Sequence, residues 1–598
     1  MDHAIRFQCS LITVGRILAL LEASHSGLYF SGGFRVINRQ YHSIEMTPSV
    51  RDTNNGPPYG LAFFCFFWGF VSMLRIAIGF HPHSGQDNHH GSLDKGAYGG
   101  DFEAQRHWME LTYHLPIGDW YWYDLGYWGL DYPPLTAYVS WVCGWASHYI
   151  VGPASVALEA SRGIEDPEHK AFMRGTVLIL DLLVFGYAVW KAAYDGNRKS
   201  LWTILVTLCQ PAVLLIDHGH FQYNTVALGL SVAAFSSMVQ PTFGACVWGG
   251  FFFTLALNFK QMTLYYAPVV FSYLLGRCGA KVRWDSFARR ISWLGGVVLF
   301  TFFVLWVPFL KYPPSDRLPT PTPLERIVHV LRRIFPFERG LFEGKVANLW
   351  CALNTSPVKI RSRIPSDLQP MLALAGTFIL MLPSCWRVFK VGMTDPSSTT
   401  SVKQHWVFML WATTSCSLSF FLASFQVHEK SILLSLAPCS LLFWDDPVFV
   451  EWFSFVCVWS LWPLIQVDRL QTAYSCMVLI FVSMVWFRRM GMEQPKTESI
   501  FSGESLVLRS VPNLCFMCMI TLHIAQVLVP APSRLPDLYE VLWSVAGCGM
   551  FSIAWLATIF KLYFSATTIT KARPSAVLKE IATIVRPSTT GDVKEKDD

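Results

Sequence analysis

Apolar runs approaching the length of a membrane crossing recur along almost the whole chain. The first clear one is Gly60 to Phe80; others cover residues 174–190, 201–216, 223–238, 243–260, 264–276, 291–310, 368–385, 405–424, 431–444, 448–466, 473–487, 512–530 and 540–563. A helix needs about 20 residues to cross the hydrocarbon core, so the pattern predicts an all-α polytopic membrane protein with about 14 transmembrane helices. Composition agrees: 52% of the 598 residues are apolar and 15% are charged, against roughly 25% charged in an ordinary soluble domain. A soluble chain could not hide so much apolar surface. A disordered chain, a collagen-like chain and a disulfide-stapled secreted mini-domain are excluded. The net charge of +6 is too small for a nucleic-acid footprint, so no nucleic-acid partner is expected. Cys515 and Cys518 form a CxxC inside an apolar run, where packing is the expected role. Residues 1–58 contain no good span, because Arg16, Glu22 and His25 interrupt the stretch from Leu11 to Tyr29, and they carry no convincing signal peptide.

Basic residues orient the spans. The loop 277–290 carries Arg277, Lys281, Arg283, Arg289 and Arg290 and is assigned to the cytosol. Alternating from there places loops 191–200, 386–404 and 488–511 and the tail 566–598 on the same side. Segments 81–173, 217–222, 311–367 and 425–430 then share the opposite face. The alternation requires Pro134–Val151 to lie at the interface rather than cross. The stretch 311–365 carries ten Lys or Arg, against the usual bias for a non-cytosolic segment, and its charges suit an anionic ligand.

That face is rich in chemistry. Residues 99–110 read GGDFEAQRHWME, with Asp101 and Glu103 at the start of an expected short helix; 129–136 read GLDYPPLT, 217–224 DHGHFQYN, 333–345 RIFPFERGLFEGK and 425–431 FQVHEKS. Carboxylates can take a proton from a hydroxyl nucleophile, and Arg, Lys and His can stabilise charge on a departing phosphate. Asp101 could instead cap its helix. Glu103 is read as a hydrogen-bonding partner rather than a second base. His218 and His220 are weak evidence for metal, and none is expected. His81, His83, His89 and His90 are read as a solvated polar loop. Arg332, Arg333, Arg339 and Lys345 could meet lipid headgroups or phosphate. Asp181, inside an apolar run, is expected to bond a neighbouring helix. A lipid-linked sugar transporter or flippase would place its ionisable groups near the midplane, in repeated halves, rather than at span ends on one face.

Together the motifs GDFEAQRHWME, GLDYPPLTAY, DHGHFQYN, RIFPFERGLFEGKVANLWC and FQVHEKSILL resemble the eukaryotic dolichyl-phosphate-glucose-dependent α-1,3-glucosyltransferases of the endoplasmic reticulum, which belong to the GT-C class. The match is nearest to members that add the first glucose to Man9GlcNAc2-PP-dolichol; the sister members add the second. The resemblance implies a GT-C fold with luminal interfacial helices and metal-independent, cofactor-free, inverting transfer. The donor would be dolichyl-phosphate-β-glucose and the acceptor a mannose of the lipid-linked oligosaccharide. It also implies an endoplasmic reticulum membrane location with a luminal site and a cytosolic C-terminus. Asp101 would be the general base. His428, Lys430 and Arg339 would meet the donor phosphate. Asp131, Glu343, Glu103, His218 and His220 would organise the acceptor or its loops. Gly344 stands where the family usually carries an acid. The implied organisation is a variable extension 1–58, a catalytic module 59–367 with luminal loops 81–173 and 311–367, a variable module 368–565 and the tail 566–598.

Overall fold

A computed structural model describes residues 61–87, 99–194, 198–280, 282–335, 341, 346–394, 396–491, 499, 501 and 506–564. Within them the chain forms helices and no strand. The longer helices, in chain order, are α1 (Leu61–Gly79), α2 (Asp101–His114), α3 (Pro134–Ile150), α4 (Pro167–Ala193), α5 (Ser200–Phe221), α6 (Asn224–Met238), α7 (Phe243–Phe259), α8 (Ala267–Gly279), α9 (Trp284–Lys311), α10 (Pro323–Ile334), α11 (Gln369–Gly392), α12 (Thr399–Ala423), α13 (Leu433–Ser440), α14 (Pro447–Ser460), α15 (Gln471–Gly491), α16 (Leu506–Leu528) and α17 (Leu538–Phe564). The expectations for residues 1–58 and for the tail 566–598 lie outside the described residues.

All fourteen apolar runs fall on helices, but the helices are of two kinds. Among the described residues, α1, α4, α5, α9, α11, α12, α15, α16 and α17 are long and apolar enough to cross a membrane. The other five runs become α6, α7, α8, α13 and α14, which hold 8 to 17 residues each. Hydropathy counts apolar side chains and misses breaks. The run 431–444 is a 3₁₀ turn at Glu429–Ile432 followed by the eight-residue α13, with Pro438 inside it.

Burial sorts the long helices. Only 11% of the apolar window of α16 is buried, against 89% for α5. A helix sheathed on all sides must find protein partners for its polar groups, and α5 carries Asp217, His218 and His220, all buried and all hydrogen-bonded. Helices α8 and α11 pack against each other across the boundary at residue 367. A Cβ on Gly276 would sit 2.4 Å from the Phe389 carbonyl oxygen, and one on Gly392 would sit 2.5 Å from that of Tyr273. Glycine on both sides allows this backbone-to-backbone approach.

Helix α3 is amphipathic in an inverted sense. Its buried side is small and polar, with Thr136, Ala137, Ser140, Gly144 and Ser147, and it presses on α2. Its outer side exposes Trp141, Val142, Trp145, Tyr149 and Ile150. An apolar outer face of this kind suits contact with lipid.

Candidate active site

Asp101 opens α2, and its placement depends on a glycine-packed turn. Gly100 is the N-cap and Asp101 the first helical residue; no side chain caps this helix. The Asp101 carboxylate is therefore turned elsewhere than the capping reading allows. The Asp101 amide donates to Ser84 Oγ at 3.3 Å, and the Ser84 amide donates to the His220 carbonyl at 3.0 Å. Ser84 thus ties the start of α2 to the end of α5. Gly85 has φ +74°, and a Cβ there would lie 2.1 Å from the Gly100 nitrogen, so the approach excludes every side chain.

Three donors converge on one oxygen of Asp101. His220 Nε2 donates to Oδ2 at 2.7 Å, and Gln222 Nε2 and Lys430 Nζ donate to the same atom. Among the described residues, Oδ1 receives no hydrogen bond from these groups and stays available. Burial pushes the Asp101 carboxyl up, but the Lys430 ammonium and His220 hold it well below the usual carboxylate range. Its side chain is 27% exposed, that of Lys430 20% and that of His220 4%. Phe221 ends α5 with φ +86°. This left-handed backbone is costly for a non-glycine residue, and it returns Gln222 toward Asp101.

A second cation backs the first. Lys260 Nζ donates to Gln222 Oε1 at 2.8 Å and to Asn224 Oδ1 at 2.6 Å, and it lies 4.9 Å from the centre of the Tyr132 ring. Asn224 Nδ2 donates to Asp217 Oδ1 at 2.7 Å, so Asp217 anchors the chain that holds Lys260. Asp131 lies within electrostatic reach of Lys260. A small pocket beside these groups is lined by Lys260, Lys430, Asn224, Thr263, Leu433 and Leu434, among others.

The remaining residues singled out from sequence have different fates. His428 is exposed two residues before Lys430, and its carbonyl accepts from the Ser431 amide at 2.9 Å. Arg339 and Glu343, with Gly344 and Lys345, lie outside the described residues. His218 does not share the site of His220: its Nε2 meets Asp181 Oδ2 at 2.7 Å, and Arg75 Nε donates to the same oxygen at 2.6 Å. Positions i and i+2 of a helix face opposite ways, which is why the two histidines part. Glu103 is buried and grips Arg106 at 2.6 and 2.7 Å and the Tyr127 hydroxyl at 2.7 Å. Arg106 also meets Glu110 at 2.7 Å, and Glu110 accepts the Glu159 amide at 2.5 Å, so this network braces the loops behind Asp101. Arg333 donates to the Gly129 and Leu130 carbonyls, fixing the loop that carries Asp131.

His83 corrects the solvated-loop reading of the histidine-rich stretch. It is 3% exposed, and its ring stacks 3.8 Å from that of Phe102; His89 and His90 lie outside the described residues. Burial pushes the His83 pKa from 6.5 down to about 3. For Glu110, burial pushes up, but His107 and Arg106 prevail and hold its pKa at about 2, against 4.5. The unfolded chain protonates His83 below pH 6.5 while the folded one refuses until about 3, so this stability is lost as pH falls through that window. Stability from Glu110 is full above 4.5 and is lost toward 2. Melting temperature in micelles is therefore expected to fall from pH 6.5 downward and more steeply below 4.5. His83→Phe should reduce the fall across the whole window from pH 6.5 to about 3; an unchanged profile in that variant would refute the assignment.

An all-helical membrane protein with a carboxylate and two lysines gathered at helix ends is equipped for polar chemistry beside a bilayer. The chain belongs to the ALG6, ALG8 glycosyltransferase family, whose model matches residues 72–557. It is 38% identical over 500 residues to the probable dolichyl pyrophosphate Man9GlcNAc2 alpha-1,3-glucosyltransferase of Drosophila melanogaster, covering 81% of this chain and 94% of that relative. It is 37% identical to the dolichyl pyrophosphate Man9GlcNAc2 alpha-1,3-glucosyltransferase of Gallus gallus (81% and 93% covered) and 36% identical to that of Saccharomyces cerevisiae (82% and 90%).

Sequence reasoning missed Gln222, Lys260 and Asp468, which touches His220. Gln222 stood inside a motif already singled out; Lys260 ends the apolar run 243–260 as its sole basic residue, a signal that was readable.

Proposed function

We propose that this protein transfers glucose from dolichyl-phosphate-β-glucose to a terminal mannose 3-hydroxyl of Man9GlcNAc2-PP-dolichol, with inversion, in the lumen of the endoplasmic reticulum. The single observation that carries the mechanism is the convergence of three donors on Asp101 Oδ2, which leaves Oδ1 to take the hydroxyl proton. A carboxylate held to low basicity still serves here, because the hydroxyl becomes acidic only as its oxygen bonds to the anomeric carbon. That bond forms as the carbon–phosphate oxygen bond breaks on the opposite face. The electron pair leaves with the phosphate, toward the cations Lys430 and Lys260 and the neighbouring His428. Arg339 is assigned to the same phosphate. Asp131, Glu343, Glu103 and His218 are assigned to loop and acceptor organisation, the last two by bracing rather than contact. We place about fourteen crossings in the bundle, the five shorter helices being sheathed by protein, with the tail in the cytosol.

The test is direct. Purified full-length protein, given dolichyl phosphate glucose and Man9GlcNAc2-PP-dolichol, should add one hexose in α-1,3 linkage. Transfer only to an acceptor that already carries one glucose would assign the sister reaction. No transfer, with lipid moved between leaflets instead, would overturn the enzyme reading. Transfer should persist in excess chelator; loss restored by a divalent ion would refute the metal-free mechanism.

A further inference from the structure

Behind the proposed base lies a second carboxylate that the mechanism above does not use. His220 Nδ1 meets Asp468 Oδ2 at 2.5 Å while its Nε2 meets Asp101 Oδ2 at 2.7 Å. An ionised carboxylate only accepts hydrogen bonds. An imidazole flanked by two of them therefore donates from both nitrogens and is locked at both edges. The Asp468 side chain is 2% exposed, so the pair is dry, and its charge-assisted bonds are strong.

Asp468 is itself held firmly. It ends the short helix Trp462–Val467. The next residue, Arg469, has φ +58° and donates to the Gln86 carbonyl and to Asp87 Oδ2, both at 2.8 Å. Leu470 is fully buried against Gly219, where a Cβ would lie 2.9 Å from its Cδ1. This turn thus grips the end of α5 and the 83–87 turn that positions Asp101. Three charged groups touch the His220 ring, Lys430 Nζ lying 3.0 Å from Nε2. Asp101 comes from α2, Lys430 from the turn before α13 and Asp468 from its own turn. Arg174 of α4 donates to the Gly219 carbonyl at 2.8 Å.

We propose that Asp468 is a positioning residue for glucose transfer: through His220 it keeps a protonated ring aimed at Asp101 Oδ2 and so holds Oδ1 toward the incoming hydroxyl. Without Asp468, the ring can settle with a bare Nε2, which then accepts from Lys430 Nζ, 3.0 Å away, and draws that ammonium from Asp101 Oδ2, so that the carboxylate turns. The inference rests on Asp101 being the proton acceptor.

The experiment measures transfer by full-length Asp468→Asn with dolichyl phosphate glucose and Man9GlcNAc2-PP-dolichol across pH. kcat should fall by about tenfold or more with KM for both substrates unchanged. Activity should be lost at lower pH on the alkaline side than in the parent, because His220 gives up its proton sooner. In a His220→Gln background, Asp468→Asn should add no further loss. If Asp468→Asn fails to fold, Asp468→Glu, which keeps the charge, should retain the parent pH profile. Parental kcat and pH profile in Asp468→Asn, losses that multiply with His220→Gln, or a shifted alkaline limb in Asp468→Glu would overturn the proposal. Asp101→Asn, assayed alongside, separates the two ideas: normal turnover there defeats the base, whereas a dead Asp101→Asn beside a parental Asp468→Asn defeats only this inference.

Discussion

Asp101→Asn is expected to lower kcat for glucose transfer by about 10²- to 10⁴-fold, the usual contribution of a positioned general base, and to leave KM and folding near those of the parent. The amide oxygen can take the place of Oδ2 and accept from His220, Gln222 and Lys430. The NH2 group then occupies the place of Oδ1, where it donates and cannot take a proton. Nothing is lost at the helix start, because the Asp101 side chain makes no cap there. Steady-state rates beside a melting curve separate chemistry from stability. Near-parental turnover would remove Asp101 from the mechanism.

The second large effect concerns stability. Asp181 and Arg75 are fully buried as side chains, and Asp181 holds both Arg75 and His218. Asp181→Ala strands a guanidinium in the apolar interior and is expected to cost about 3–5 kcal/mol, the penalty for breaking a buried ion pair from one side. Replacing both partners, as in Arg75→Met with Asp181→Leu, should recover most of that loss, since two matched apolar side chains leave no stranded charge. Thermal unfolding and limited proteolysis in micelles check both variants. An Asp181→Ala protein as robust as the parent would show that the pair is dispensable.

The sequence made the helical membrane class legible because the apolar runs are long and repeated, and composition admits few other solutions. It singled out Asp101 and Lys430 because their motifs resemble those of the glucosyltransferase family and fall on polar segments assigned to one face. It did not separate His218 from His220: adjacency in the motif suggested one role, whereas helix geometry sends the two rings to opposite sides. At 431–444 a 3₁₀ turn and a proline interrupt an apolar string that hydropathy reads as continuous. Asp468 was invisible. It lies 248 residues from His220 in an unremarked turn, and only tertiary packing brings it near.

The proposed base is made early in synthesis, but Lys430, which bonds it, and Asp468, which bonds His220, are made much later. An amino-terminal fragment ending before Lys430 carries the base without its counter-ion, and one ending before Asp468 leaves the His220 ring untethered. On the proposed mechanism, a chain stopped upstream of Asp468 therefore lacks part of the frame that aims the base.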